Sequence, residues 1–257
     1  MRSILAVTIL FLLFTIDSVF PQPIPPSPKT PSSQQQDQTE TAEETETAEK
    51  TLDFSDTGRP GQQTAGESRR GCNNLHHPLQ ALVPISHSGK TISAHPSFWV
   101  YFPYNNKQVD RIEFIVQNED REDIWRSQSQ INTLTGYQSF SLPETTEPLK
   151  IGEWYRWYVK VYCGSQTASS QYVQGWVKRV PLSSELYIKL QDNPQLSHQA
   201  HGVNGIWYDA IDSLLDLHHL QPSNISWEKD WQNLLQAKGV RLNNLPYIGA
   251  TLEAIKH

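Results

Sequence analysis

Leu149-Lys-Ile-Gly152-Glu-Trp-Tyr155-Arg-Trp157, running on to Cys163, is the stretch on which the fold turns. Leucine, glycine and tyrosine at L-x-x-G-x-x-Y before an alternating apolar run read as a tyrosine corner, the device that fixes the entrance of a strand in an immunoglobulin-like sandwich. From Glu153 to Cys163 the residues alternate. Tyr155, Trp157, Val159, Val161 and Cys163 share one face, and Arg156, Tyr158, Lys160 and Tyr162 the other. The first set reads as core.

Working outward, the same period of two recurs over Ser97–Tyr104, Asp110–Asn118, Asp123–Ser127, Gly136–Leu142 and Ser170–Val180, with a short strand at Ala81–Pro84. Turn-forming clusters at Tyr104–Lys107, Asn118–Asp123 and Gly164–Ser170 separate these runs. After Pro181 the period becomes helical: Ser184–Gln191, Gln195–Val203, Ile206–Leu220 and Trp227–Lys238. The expected fold is therefore mainly β. It is an immunoglobulin- or fibronectin-III-like antiparallel β-sandwich over 71–182, followed by an α-helical annex over 183–257 packed on it.

In the last strand Val173, Gly175 and Val177 are expected to point inward. That leaves Tyr172 and Trp176 outward beside Tyr158 and Tyr162. Rigid aromatic side chains give large contact area at low entropy cost, so these four are the candidate binding platform. The competing expectation, which the notably apolar annex favours, is that the C-terminal helices cover them.

The ends bound where the chain works. Arg2 and an apolar run from Ile4 to Ile16 make 1–20 a secretory signal peptide, with an uncleaved signal anchor as the alternative. No other run is long and apolar enough to span a membrane, so the expected location is extracytoplasmic, periplasmic or secreted. Residues 21–70 are rich in Pro, Gln, Thr, Ser and Glu and read as a disordered linker. The eight acids between Asp37 and Asp56 against Lys50 put −7 there, out of a net charge of −6, so the rest of the chain is near +1. Nothing in that balance points to nucleic acid. Cys72 and Cys163, the only 2 cysteines, both lie beyond the linker of an exported chain and are expected to form a disulfide.

Catalytic patterns are missing. Ser88-Gly-Lys-Thr91 has the tail of a P-loop, but Pro84 stands where its first glycine is needed. Glu119, Asp120, Glu122 and Asp123 fit a solvated hairpin turn. Asp209, Asp212, Asp216 and His219, at helical spacing, read as an ordinary acidic outer helix face. Neither these nor His76, His77, His95, His198 and His201 specify a metal, and no cofactor is expected.

Several segments together resemble one family: Ser68-Arg-Arg-Gly-Cys72, Pro96-Ser-Phe-Trp-Val-Tyr-Phe-Pro-Tyr104, Glu113-Phe-Ile-Val-Gln-Asn-Glu119, Tyr155-Arg-Trp157, Gly175-Trp-Val-Lys-Arg179 and Gly205-Ile-Trp-Tyr-Asp-Ala210. They are similar to the largely cyanobacterial domain of unknown function 928, over roughly Gly71 to Leu235. The resemblance implies an exported protein with this layout and carries no catalytic residues. The expected function is a non-catalytic binding or interaction module of the cell envelope, with an envelope protein or glycan as partner. The alternatives are an envelope glycan hydrolase with a carboxylate pair, from Glu119–Asp123 or Asp209–Asp216, and a structural envelope protein without a small ligand.

Overall fold

A computed structural model describes residues 51–55, 78–104, 109–129, 136–163, 170–221 and 226–245, and the backbone of 252–254. The tyrosine corner is formed: the Tyr155 hydroxyl accepts the N–H of Lys150 at 3.0 Å and donates to Glu153 at 3.1 Å. Leu149 is fully buried, and Gly152 takes φ +90°, where a side chain would strain the turn. Arg179 closes the corner by donating to the Leu149 carbonyl at 2.7 Å.

The strands are β1 (Gln80–Ala81), β2 (Ser88–Thr91), β3 (Ser97–Phe102), β4 (Val109–Gln117), β5 (Asp123–Ser129), β6 (Gly136–Ser141), β7 (Trp154–Cys163), β8 (Ser170–Arg179) and β9 (Leu252–Ala254). They form two sheets, ordered β1-β3-β6-β9 and β2-β8-β7-β4-β5. The sheets meet through aromatic rings. Phe98 of β3 stacks on Trp157 of β7 at 5.0 Å, and Phe114 of β4 meets Phe140 of β6 at 5.6 Å. The protein is thus mainly β, with two sheets and C-terminal helices.

The pairing is not purely antiparallel. β2 runs parallel to β8, and β9 parallel to β6. β2 is the rejected P-loop tail, Ser88-Gly-Lys-Thr91, and its lack of apolar alternation hides it from a period-two reading. Its glycine has a packing role: a Cβ on Gly89 would stand 3.0 Å from both Trp207 and Tyr208.

Those two residues open the helix that completes the core. The helices are α1 (Ser184–Asp192), α2 (Ser197–Val203), α3 (Trp207–Leu220) and α4 (Ser226–Leu235), with a 3-10 turn at Pro194–Leu196. Among the described residues β1 pairs with Val100 and Tyr101 and the start of β3 has no strand neighbour on that side, and α3 packs against β2 and β3 there. Trp207, Tyr208, Ala210, Ile211, Leu214 and Leu215 are all buried, in one hydrophobic cluster with the strands. Trp157 donates its indole N–H to the Tyr208 hydroxyl at 2.8 Å, and that hydroxyl donates to the Trp176 carbonyl at 2.9 Å. Trp207 donates to the Leu82 carbonyl at 2.9 Å. Buried polar groups are costly without partners, so this chain of bonds makes a tyrosine in the core tolerable.

α4 covers the other flank. Its Trp227 and Trp231 stack at 5.6 Å, Trp227 donates to the Leu214 carbonyl at 3.0 Å, and Trp231 meets Tyr137 of β6 edge-on at 5.4 Å.

One part of the stretch read as linker is placed. The Phe54 ring is buried 5.0 Å from Trp207, its N–H donates to the Lys238 carbonyl at 2.8 Å, and Asp53 pairs with Lys238 at 2.7 Å. The reading of 21–70 as linker therefore fails at 51–55, and the reason is apolar area: Phe54 is the only aromatic residue between Pro21 and Arg70, with Leu52 beside it. The rest of 21–70, and 1–20, lie outside the described residues.

Candidate functional site

The outward face of the five-stranded sheet gathers aromatic and cationic side chains by strand alternation alone. On β7, Trp157, Val159 and Val161 are fully buried, so Arg156, Tyr158, Lys160 and Tyr162 point the other way. The β8 register sets Trp176 opposite Arg156, Gln174 opposite Tyr158 and Tyr172 opposite Lys160. The β4 register adds Arg111 opposite Tyr162 and Glu113 opposite Lys160. All four candidate platform residues, Tyr158, Tyr162, Tyr172 and Trp176, are thereby on one face, each half-buried.

Cations lie over the rings. The Arg111 guanidinium is 4.0 Å from the Tyr162 ring, and that of Arg156 is 4.7 Å from Tyr158 and 5.5 Å from Trp176. Lys178 lies 5.6 Å from the ring of Trp154, and Tyr158 and Tyr172 are 6.3 Å apart. Each such contact fixes a long cationic side chain against a flat surface. Arg156 also donates to the Gln174 side chain.

Glu113 is the buried anion of the face. Arg126 pairs with it at 2.6 Å and Lys160 at 3.6 Å, and the Tyr162 hydroxyl donates to it at 3.2 Å. Burial alone would raise this carboxyl, but the Arg126 bond and charge, with Gln128 and Lys160, outweigh it and hold it below its ordinary value. With Glu113 engaged in this way, the outward residues of β4, β7 and β8 present a surface of positive character.

The expectation that the annex covers these aromatics finds no support in the main contacts of the described helices. Among the described residues the helices contact the strands chiefly through α3 on β2 and β3, while Trp231 of α4 lies on Tyr137 of the other sheet. α3 is drawn into the gap beside β1 by its own apolar ridge, away from the face.

The carboxylates are arranged differently from the sequence reading. Glu119, Asp120, Glu122 and Asp123 are exposed in the β4–β5 turn, where Glu122 accepts from Asn118, and Asp123 from Gln117 and Arg126. Asp209 and Asp212 are not on an outer helix face. Because α3 packs on β2 and β3, Asp209 accepts the Ile92 N–H at 3.2 Å and Asp212 the Trp99 indole N–H at 2.7 Å. Only Asp216 and His219 are exposed. Both inner carboxyls serve the joint between helix and strands.

Burial pushes the Asp209 and Asp212 carboxyls up to about 6. The ordinary value for Asp212 is 3.8. A carboxyl raised on folding stabilises fully below its unfolded value, and that contribution is lost as the pH rises through the folded value. Asp212→Asn keeps an acceptor for Trp99 and removes the titration. Between pH 4 and pH 8 it is expected to gain on wild type by up to about 3 kcal/mol, read from urea unfolding at the two pH values. His201, lowered to about 4 by burial, acts in the opposite sense, losing its contribution as the pH falls below 6.5. It is common to both proteins and drops out of the difference. An offset between variant and wild type that does not change with pH would contradict a raised Asp212.

Among the described residues no three His, Cys, Asp or Glu side chains are grouped to hold a metal ion. His95 meets the Thr146 carbonyl at 3.0 Å and His198 meets Asp230 at 3.3 Å. His76, His77 and Cys72 lie outside the described residues, so only Cys163 of the expected disulfide is placed, at the end of β7.

The protein is mainly β, its helices complete its core, and its aromatic and cationic side chains collect on one sheet face. The chain belongs to the family described as Domain of Unknown Function (DUF928), whose profile matches residues 64–246 and so spans β1 to β8 and α1 to α4. No curated protein matches the chain.

Proposed function

We propose that the chain is an exported, non-catalytic binding module of the cell envelope that holds an acidic envelope glycan on the outward face of β4, β7 and β8. The observation that carries this is the pairing of Arg111 and Arg156 with Tyr162, Tyr158 and Trp176 on a face that no described helix covers. Flat rings suit the apolar faces of sugars, and guanidinium groups suit their carboxylates.

The scaffold reading is an immunoglobulin-like sandwich. In its favour, β1, β3 and β6 pair on one side and β5, β4, β7 and β8 on the other, with the tyrosine corner at the entrance to β7. Residues 1–20 act as the signal, most of 21–70 as a linker to the envelope, and Cys72 pairs with Cys163. Among the described residues no helix is long and apolar enough to cross a membrane.

Binding of the purified chain to acidic and neutral envelope polysaccharides, and to detergent-extracted envelope proteins, tests the reading. Trp176→Ala and Arg156→Gln, both confirmed as folded, are expected to lose about tenfold or more in affinity for an acidic glycan. Equal binding by both variants and wild type would remove the sheet face from function, and selective capture of an envelope protein would replace the glycan as partner.

A further inference from the structure

A cavity bordering the cation–aromatic face lies between the edges of the two sheets. β2 pairs with β8 only from Trp176 to Arg179. The preceding part of β8, Tyr172 to Gln174, instead borders a cavity of about 360 Å³, lined on the other side by the segment through β1 and completed by Arg241 and Leu242. That volume falls at the lower end of small-molecule sites. At about 30 Å³ per small group it takes roughly ten to fifteen non-hydrogen atoms.

The lining has a definite chemical character. Leu79, Val83, Ile85, Val173 and Leu242 supply apolar wall, Gln80, Tyr172 and Gln174 add polar groups, and among the described residues no carboxylate lines it. Arg241 is exposed, and no ion pair engages it among the described residues. His87 sits on the lining with φ 54°, a left-handed backbone uncommon for a residue with a side chain. Burial lowers its imidazole, which favours the neutral form. Apolar walls, an unengaged cation and a neutral imidazole together suit a ligand with a hydrocarbon body and a single acidic group.

We propose that this cavity binds an amphipathic carboxylate, with its apolar body against Leu79, Val83, Val173 and Leu242 and its carboxylate on Arg241. The site goes beyond the glycan reading and does not depend on it: Tyr172 and Gln174 of the sheet face border the cavity, but Arg111, Arg156 and Trp176 take no part in the lining.

Calorimetric titration of the full chain with decanoate and with decyltrimethylammonium tests it, the two probes sharing a tail and differing in head charge. Saturable one-to-one binding of decanoate is expected, preferred about tenfold over the cation. Arg241→Gln, at an exposed position, is expected to abolish that preference, and Leu79→Trp to fill the cavity and remove binding of both probes. Trp176→Ala is expected to bind decanoate as wild type does, which separates this site from the sheet face. The proposal is overturned if decanoate shows no saturable binding, if Arg241→Gln leaves the preference intact, or if a folded Leu79→Trp binds as before.

Discussion

Removing residues 183–257 is expected to leave a chain that does not fold. The sheets and helices are not two cores laid side by side: Trp207, Ile211 and Leu214 are 0% exposed and Tyr208 1%, in the same cluster as Phe98, Phe114 and Trp157. Truncating a single large core side chain typically costs about 2–5 kcal/mol, against a total stability of about 5–15 kcal/mol for a domain. Losing all of α3 therefore exceeds what the strands can offset. The Trp157 indole would also lose the Tyr208 hydroxyl, its buried acceptor. Near-UV circular dichroism and urea unfolding of chains 48–182 and 48–257 measure the effect. Only the longer one is expected to unfold cooperatively, and a cooperative transition in the shorter would contradict the shared core.

The second large effect is expected at Gly175, which lies opposite Trp157 in the β7–β8 register. A Cβ there would stand 2.6 Å from the indole nitrogen and 2.7 and 2.8 Å from two ring carbons, inside any real contact distance. Trp157 has little room to yield. Its ring stacks on Phe98 and its N–H is committed to Tyr208. Overpacking in a core costs about 1–3 kcal/mol, and a doubly held ring puts Gly175→Ala at the upper end, about 3 kcal/mol. Combining it with Trp157→Phe, whose smaller ring leaves room for the methyl, is expected to recover part of the loss beyond additivity. A loss below about 0.5 kcal/mol in the single variant would show that the sheet relaxes there.

Part of this fold was legible in the sequence. The tyrosine corner was readable because Leu149, Gly152 and Tyr155 act at fixed spacing within one local turn. Six of the strands were readable because their alternation is local as well. β2 was not, since Ser88-Gly-Lys-Thr91 has no apolar period and becomes a strand only through its parallel pairing with β8. The depth of α3 was equally hidden. Its apolar ridge was plain, but Asp209 and Asp212 made the opposite side look solvated, and only the tertiary placement brings Ile92 and Trp99 to them as donors. Leu52 and Phe54 were lost in a composition average that their packing overrides.

For the candidate site, the four aromatics could be placed on one face from alternation. Their cationic neighbours could not all be, because Arg111 meets Tyr162 only in a cross-strand register shifted by an irregularity between Val109 and Arg111. Whether the annex covered the face depended on where α3 found its gap. The short pairing of β1, which no local pattern reveals, creates that gap.

Hydroxyl-radical footprinting of the full chain, free and in complex with the acidic glycan it captures, tests the central claim most directly. Tyr158, Tyr172 and Trp176 are expected to be labelled in the free chain and protected in the complex, while Trp157 and Trp207 stay unlabelled in both. If the three outward residues are unlabelled in the free chain, or are labelled equally with and without the glycan, the open cation–aromatic face is not the binding surface.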